Sequence, residues 1–265
     1  MSAIPSSFRF ELGAYHHTYT AIGRCSRTGR LGISVATGEM GVGGRVPFIA
    51  PNLGAIATQA STDPRLGPLA IRLLDLGFPA ARVLADLETS DPYIGFRQIG
   101  IVDRWGHTAV RTGENNTDWA GHKTGPGWIV MGNAIAGENV VQAMADAMAG
   151  AEAEDIETRL MLAIEAGTAA GGQPDGQRSA GILVYENAGF AIVNLRVDEH
   201  PDPTAELRRL FDKLYPLIPY YRERPDNPTL GRVKDWAKAH GIDVSADFAG
   251  DAARKGADQC RSSSV

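Results

Sequence analysis

The stretch TYTAIGR at Thr18–Arg24 is followed, after a few turn-forming residues, by LGISVAT at Leu31–Thr37. In the second stretch the apolar residues from Leu31 to Val35 are spaced two apart, which is the period of a strand with one buried face. The residues Ser26–Gly29 between the two stretches favour a turn. We therefore predict that the two stretches form a β-hairpin.

Outward from this hairpin, the spacing of the apolar residues changes between the period of strands and that of helices. A buried strand is predicted at Gly54–Gln59. Asp63 and Pro64 supply a cap and a first-turn proline for one helix, and Pro79 begins a second. Hairpins separated by helix pairs do not form a parallel βαβ series, so we predict an α+β fold, a four-layer αββα sandwich of two antiparallel sheets. The remaining predicted elements are strands Gln98–Asp103, His107–Thr112 and Trp128–Gly132, helices Glu138–Met148 and Ile156–Gly167, and strands Ala180–Tyr185 and Phe190–Arg196.

Three segments are predicted: an N-terminal extension at residues 1–17, the sandwich at 18–214, and an arm at 215–265. The arm contains four prolines within residues 216–228, which exclude a continuous helix, and then a short amphipathic helix at Leu230–His240. Its last residues, from Gly250, are small and polar, and we expect them to be frayed. Three aromatic residues of the arm suggest either a dimer contact or a ligand lid, and we expect a homodimer or higher homo-oligomer. These aromatics are Tyr220, Tyr221 and Trp236.

Composition narrows the classes of function. The 265 residues are 43% hydrophobic and 22% charged, which is typical of a folded domain. The net charge of -5 comes without a basic stripe, so we expect no nucleic-acid partner. Cys25 and Cys260 are too few and too far apart for a cysteine metal cage, and we predict no metal and no cofactor. No apolar run is long enough to span a membrane and no signal peptide is evident, so we expect no membrane association and a cytoplasmic location.

Polar residues stand at the ends of several predicted strands. Thr18 opens the first strand, Gln59 ends the third, Asn133 follows the strand Trp128–Gly132, and Ser179 precedes the strand Ala180–Tyr185. If these strands belong to two stacked sheets, their ends converge on one cleft, which is a common place for a small-molecule site. Each residue also has a structural explanation, such as satisfying backbone groups or forming a turn.

The same segments carry a resemblance to the domain of unknown function family 1028. It extends over about residues 18–214, and its motifs follow one another in the order that the family shows. The motifs are TYT at Thr18–Thr20, GISVA at Gly32–Ala36, GAIATQ at Gly54–Gln59, RQIGIVD at Arg97–Asp103, WAGH at Trp119–His122, Gly132-Asn133, Ala136-Gly137, AAGG at Ala169–Gly172 and LRVDEHP at Leu195–Pro201.

This resemblance implies a fold like that of the N-terminal-nucleophile (Ntn) hydrolases, αββα enzymes that mostly cleave amide bonds. The residue at the nucleophile position is Thr18, and in such enzymes the free α-amine of the nucleophile acts as general base. Asn133, Gln59 or backbone amides near Gly43 and Gly44 are candidates to stabilise the oxyanion. We therefore expect a hydrolase of a C–N bond in a small linear amide or carbamoyl compound. Further substrate-binding residues implied by the matched motifs are His122, Arg178 and Ser179, with Arg178 standing where the family usually has Gln and offering a guanidinium to a substrate carboxylate.

Several alternatives remain open from the sequence. Thr18 has seventeen residues before it, so it gains a free amine only if the chain is cleaved after His17. Otherwise Thr18 acts with a side chain or water as base, or it is not catalytic. A protein on the same scaffold that binds a metabolite without catalysis is the alternative function, because one fold supports many functions.

Overall fold

The computed structural model describes residues 17–116 and 119–244. The predicted extension and tail therefore lie, apart from His17, outside the described residues. The strands are β1 (Thr18–Arg24), β2 (Leu31–Thr37), β3 (Pro47–Ala50), β4 (Gly54–Ala60), β5 (Arg97–Asp103), β6 (Thr108–Thr112), β7 (Trp119–Gly125), β8 (Trp128–Ile135), β9 (Ser179–Tyr185) and β10 (Ala191–Val197). The α-helices are α1 (Leu66–Asp75), α2 (Ala80–Ser90), α3 (Glu138–Gly150), α4 (Ile156–Ala169), α5 (Pro203–Leu214), α6 (Ile218–Glu223) and α7 (Val233–Ala239).

The strands form two antiparallel sheets. One has six strands in the order β10-β9-β2-β1-β8-β7, and the other has four in the order β3-β4-β5-β6. The predicted hairpin of β1 and β2 is confirmed and lies at the centre of the larger sheet. In its register Thr18 lies opposite Thr37, and on the other side of β1 Thr18 lies opposite Asn133 of β8. The first residue of β1 is thus flanked by polar residues on both neighbouring strands.

The layers follow from which strand faces are apolar. Ile33 of β2, Ala57 of β4 and Met131 of β8 belong to one buried cluster between the two sheets. Residues on the other face of the four-stranded sheet, such as Ile99 and Ile101, pack with α1 and α2. Helices α3 and α4 cover the outer face of the six-stranded sheet. This α/β/β/α order confirms the predicted sandwich.

Two strands, the start of α1 and the bounds of several other elements differ from the sequence prediction; the helix predicted at Leu230–His240, for example, is observed at Val233–Ala239. Strands β3 and β7 were not predicted: both are edge strands whose residues are mostly half-buried, so neither has a clear two-residue alternation. Helix α1 begins at Leu66 rather than at Pro64, and its N-cap has no side-chain hydrogen bond. The carboxylate of Asp63 instead accepts the backbone N–H and the guanidinium of Arg65, and the latter bond lowers the pKa of Asp63 to about 2.

The described chain divides into two compact units, residues 17–210 and 211–244. In the second unit, Leu217, Ala237 and Val244 form a small apolar cluster. Tyr220 is buried, its ring lies 5.5 Å from that of Trp236, and its hydroxyl donates to a backbone carbonyl of the same unit. Packing within the arm therefore accounts for two of its aromatic residues, and the expected oligomer and the domain limits stay predictions.

Asp103, at the end of β5, is a fully buried carboxylate. One oxygen accepts the backbone N–H groups of Trp105, at 2.9 Å, and His107, at 3.0 Å. The other accepts the N–H of Ala80, the first residue of α2, at 3.1 Å. The carboxylate therefore joins the turn between β5 and β6 to the start of α2.

We expect Asp103→Ala to lower the free energy of unfolding by about 2–4 kcal/mol, because three backbone N–H groups lose their acceptor. Denaturation in urea measures the loss. The matched control is Asp86→Ala, which removes a carboxylate that pairs with Arg82 on the surface of α2 and should cost less than about 0.5 kcal/mol. Equal losses for the two variants would contradict the role of Asp103.

Candidate functional site

The hydroxyl of Thr18 is held in a short chain of hydrogen bonds. Thr18 is 5% exposed, and its Oγ1 lies 3.1 Å from Oγ1 of Thr37 on the neighbouring strand. The Thr37 hydroxyl in turn donates to the carbonyl oxygen of His17. Because Thr37 has a single hydroxyl proton, the Thr18 hydroxyl is the donor in the first of these bonds. Thr37 thus links the Thr18 oxygen to the carbonyl of the peptide bond that precedes Thr18.

A cleft of about 250 Å³ opens beside this hydroxyl. Its walls come from the starts and ends of β1, β2, β4 and β5 and from the loop after β2. Ligand sites for drug-sized molecules typically measure ~300–1,000 Å³, so this cleft suits a small metabolite. The polar residues in its walls include Thr18, Thr37, Glu39, Arg45, Gln59 and Arg97.

Two guanidinium groups and one carboxylate give the cleft its charge. Arg45 donates to the Glu39 carboxylate at 3.2 Å and to a backbone carbonyl at 2.6 Å. Arg97 pairs with the buried carboxylate of Asp91 at 2.9 Å and also donates to the backbone carbonyl of Ser61. Arg97 is therefore fixed by its partners, whereas Arg45 and Glu39, both about half exposed, form a pair at the surface.

A buried network of amide and hydroxyl groups crosses the space between the sheets. The Thr20 hydroxyl donates to Oε1 of Gln59 at 2.5 Å, and Nε2 of Gln59 donates to Oε1 of Gln98 at 2.7 Å. The same oxygen of Gln98 accepts Nδ2 of Asn133 at 3.1 Å. Gln59 Nε2 also lies 3.3 Å from the carbonyl oxygen of Thr18. The network thus fixes Gln59 in the cleft wall and places Asn133 behind it, bonded to Gln98.

His122, a predicted binding residue, lies elsewhere. It is exposed on β7, its Nδ1 is 2.9 Å from Oγ1 of Thr112, and partial burial of the imidazole lowers its pKa. It lines an open depression of about 690 Å³ with residues of β6, β8 and α3. This depression is larger than the cleft, but Thr18 is not among its lining residues. We assign the candidate site to the smaller cleft because Thr18, the residue at the predicted nucleophile position, lines that cleft.

Two other predicted residues, Ser179 and Arg178, are not among the lining residues of the cleft. Ser179 is fully buried; its hydroxyl donates to the carbonyl oxygen of Glu39 at 2.5 Å and accepts the N–H of Val42 at 3.1 Å. It therefore holds the loop that forms one wall. Arg178 pairs with Glu199 at the surface, and its role toward a substrate carboxylate stays a prediction.

Gly43 and Gly44 form part of a 3-10 helix next to the same wall. A Cβ on Gly43 would lie 2.8 Å from side-chain carbons of Arg196, so a side chain there would collide with that arginine. Close packing explains this glycine directly. The predicted contact of its backbone with a substrate stays a prediction.

Thr37 and Gln98 were missed by the sequence reasoning, although each had a signal. Thr37 ends a strand whose hairpin register sets it opposite Thr18. Gln98 is the second residue of β5, on the face that Gly100 and Val102 direct toward the other sheet. Within residues 17–116 and 119–244, no group of three or more His, Cys, Asp or Glu side chains is arranged to hold a metal ion. Nor does any helix in those ranges have the length and apolarity needed to cross a membrane.

Comparison with known proteins agrees with this architecture. The model of a family of unknown function, DUF1028, matches residues 18–207. The chain belongs to this family. The part that matches DUF1028 begins at Thr18, the first residue of β1.

One solved structure of a DUF1028 protein, SPO2555 from Silicibacter pomeroyi, is 31% identical to this chain; the alignment covers 74% of this chain and 88% of that one, with a TM-score of 0.69. Anbu (ancestral beta-subunit) from Yersinia bercovieri aligns over 77% of this chain and 97% of its own at 10% identity and a TM-score of 0.36, a likeness too weak to support an argument. No curated protein matches the chain.

Proposed function

We propose that the protein is a hydrolase of the Ntn type that cleaves a C–N bond in a small linear amide or carbamoyl compound, with Thr18 as nucleophile. One observation carries the proposal: the Thr18 hydroxyl borders a cleft and is joined through Thr37 to the carbonyl of His17. The match to DUF1028 from residue 18 onward supports it, because the shared part of the family begins with this threonine.

The surroundings of the hydroxyl favour a base that arises by cleavage of the chain. Among the described residues, the hydrogen-bond partner of Thr18 Oγ1 is another neutral hydroxyl, which is a poor general base. We therefore infer that Thr18 Oγ1 first attacks the carbonyl carbon of His17 while Thr37 donates to the carbonyl oxygen. The hydroxyl proton passes to the leaving nitrogen as the C–N bond breaks, which frees the α-amine of Thr18, and water then hydrolyses the resulting ester to release the His17 carboxylate and restore the hydroxyl.

The free α-amine then acts as the general base and general acid in substrate hydrolysis. It takes the proton of the Thr18 hydroxyl as the oxygen attacks the substrate carbonyl, and it returns a proton to the leaving nitrogen as the C–N bond breaks. Water hydrolyses the acyl-threonine ester and restores the hydroxyl. In this scheme Thr37 contacts the attacking oxygen, Gln59 holds the backbone carbonyl of Thr18, and Asn133 acts through Gln98 as a positioning residue.

The proposal is tested on the purified full-length chain. Intact mass and N-terminal sequencing should give a chain that starts at Thr18, and a screen of small amides, ureido acids and lactams should give ammonia or amine release. A chain that remains uncleaved and releases nothing from the whole panel, yet binds one of its members, would instead support the function of a metabolite-binding protein.

A further inference from the structure

Gln173 is a buried side chain whose hydrogen-bonding capacity is unused. It lies in the turn between α4 and β9 and is 3% exposed, and neither Nε2 nor Oε1 has a hydrogen-bond partner. Buried amide groups nearly always have hydrogen-bond partners. We therefore ask which bound molecule would supply the partners of the Gln173 amide. A carboxamide offers both donors and an acceptor, which restricts what that molecule can be.

Gln173 lies near His17, the residue that precedes Thr18. A Cβ built on Gly38 would lie 3.5 Å from Oε1 of Gln173 and 4.0 Å from Cβ of His17. Gly38 directly follows Thr37, whose hydroxyl contacts both Thr18 and the His17 carbonyl. Gln173 and His17 therefore flank the same glycine at the end of β2.

The imidazole nitrogens of His17 lie near two oxygen atoms that accept hydrogen bonds. Its Nδ1 lies 2.6 Å from the carbonyl oxygen of Ala134, and its Nε2 lies 3.7 Å from a carboxylate oxygen of Asp175. Both of these oxygens can only accept hydrogen bonds while the carboxylate is ionised. The imidazole is 12% exposed and the Asp175 side chain 85% exposed, so removing the imidazole would leave a small pocket with the Ala134 carbonyl in its wall and the Asp175 carboxylate at its solvent side.

We propose that this pocket, which we call the His17 pocket (the Ala134 carbonyl and Asp175 at the position of the imidazole, and Gln173 beside Gly38), binds a carboxamide or ureido group on the acyl side of the substrate. The inference rests on the proposed function, because His17 must leave before a substrate can enter. In the intact chain His17 is itself the acyl side of the bond at Thr18. A substrate whose carbonyl replaces that of His17 directs its own side group into the same pocket.

The donors and acceptors select this chemical class. The N–H groups of a carboxamide or ureido group are satisfied by the Ala134 carbonyl, the Asp175 carboxylate and Oε1 of Gln173. Its carbonyl oxygen accepts from Nε2 of Gln173, which a guanidinium or an alkyl group cannot do. Substrates would therefore be amides of acids with a side group like that of asparagine, glutamine or a ureido acid.

Binding can be tested without any hydrolysis in full-length chain that carries Thr18→Ala and therefore stays uncleaved; in this background His17→Ala is titrated with N-methylurea by saturation-transfer NMR. We expect a dissociation constant on the order of millimolar for so small a probe. The Thr18→Ala chain that retains His17 should bind at least tenfold more weakly, because the imidazole fills the pocket. The control His17→Ala/Gln142→Leu, altered at an exposed residue of α3, should bind like His17→Ala.

Two further double variants identify the contribution of Gln173. Adding Gln173→Leu should weaken binding of N-methylurea at least tenfold. Adding Gln173→Glu, which keeps the shape but removes the donor, should weaken N-methylurea and strengthen methylguanidinium, and it keeps the test valid if the leucine variant fails to fold. Absence of N-methylurea binding to His17→Ala, or binding that neither change at Gln173 alters, would overturn the inference.

Turnover separates this inference from the proposed function. With the processed protein, amides of acids with a terminal carboxamide should show a kcat/KM at least tenfold above amides with a methyl group in its place, and Gln173→Leu should abolish the preference. Hydrolysis without that preference overturns the His17 pocket and leaves the hydrolase intact. Binding of N-methylurea to His17→Ala without hydrolysis of any amide overturns the hydrolase and leaves a binding pocket.

Discussion

Thr18→Ala should remain uncleaved and should lose turnover by a factor of at least ~10⁴, as is usual when a nucleophile that acts with its base is removed. The physical reason is specific to this residue. Its oxygen is the one that faces the cleft while sharing a hydrogen bond with the hydroxyl that contacts the His17 carbonyl. Intact mass measures the cleavage, and amine release from the best amide of the panel measures turnover.

Two controls make the result interpretable. Thr18→Ser keeps the hydroxyl and the α-amine, so it should be cleaved and should retain measurable activity. Thr124→Ala removes an exposed threonine of β7 and should behave like the unmodified protein. If Thr18→Ala folds and still hydrolyses the same amide at a comparable rate, the nucleophile is another group.

The architecture could be predicted where packing imposes a clear period on the chain. The bounds of β1 and β2 agree with the prediction residue for residue, because both strands are buried and the turn between them is short. Helices α3 and α4, whose apolar faces cover the larger sheet, begin at the predicted residues and extend two residues beyond the predicted ends. Strands β3 and β7 were not predicted, because an edge strand with half-buried residues has neither a continuous apolar run nor a strict alternation of apolar and polar residues.

The sequence predicted the site residues that stand at the ends of strands, but not those that join the site through contacts between separate elements. Thr18 and Gln59 were chosen as polar strand ends, and both do line the cleft. The pairing of Thr18 with Thr37 depends on hairpin register, which the turn length could have given. The cleft wall at Arg45 and Arg97 depends on the loop after β2 lying near the start of β5, and no local sequence pattern predicts that long-range contact.

Contacts between residues far apart in the chain explain the remaining differences between the predicted and the observed site. Asn133 was proposed beside the nucleophile and is indeed its neighbour in strand register, but its amide nitrogen donates to Gln98 of the other sheet. Gln173 is not among the site residues predicted from the sequence. Its importance comes from burial without partners, which appears only when α4, β9 and the start of β1 are packed together.

Thr37→Val should slow cleavage after His17 by a factor of ~10²–10³, the usual effect of removing one donor from an oxyanion site. Valine keeps the shape of threonine but cannot donate to the His17 carbonyl or accept the Thr18 hydroxyl, so two reacting atoms lose their partner in one substitution. A mass-spectrometric time course of freshly synthesised chain measures the rate, because uncleaved precursor should accumulate.

A merely structural role of Thr37 predicts a different pattern. Loss of a buried hydroxyl lowers the free energy of unfolding by about 1 kcal/mol, which leaves a folded protein and does not by itself slow a bond-breaking step. Thr37→Ser restores the hydroxyl and should restore cleavage while leaving a small cavity. In processed protein, Thr37→Val should lower kcat more than it raises KM, since the hydroxyl contacts the attacking oxygen rather than the body of a bound substrate. Cleavage of Thr37→Val at the normal rate would show that the hydrogen bond to His17 is not part of the chemistry.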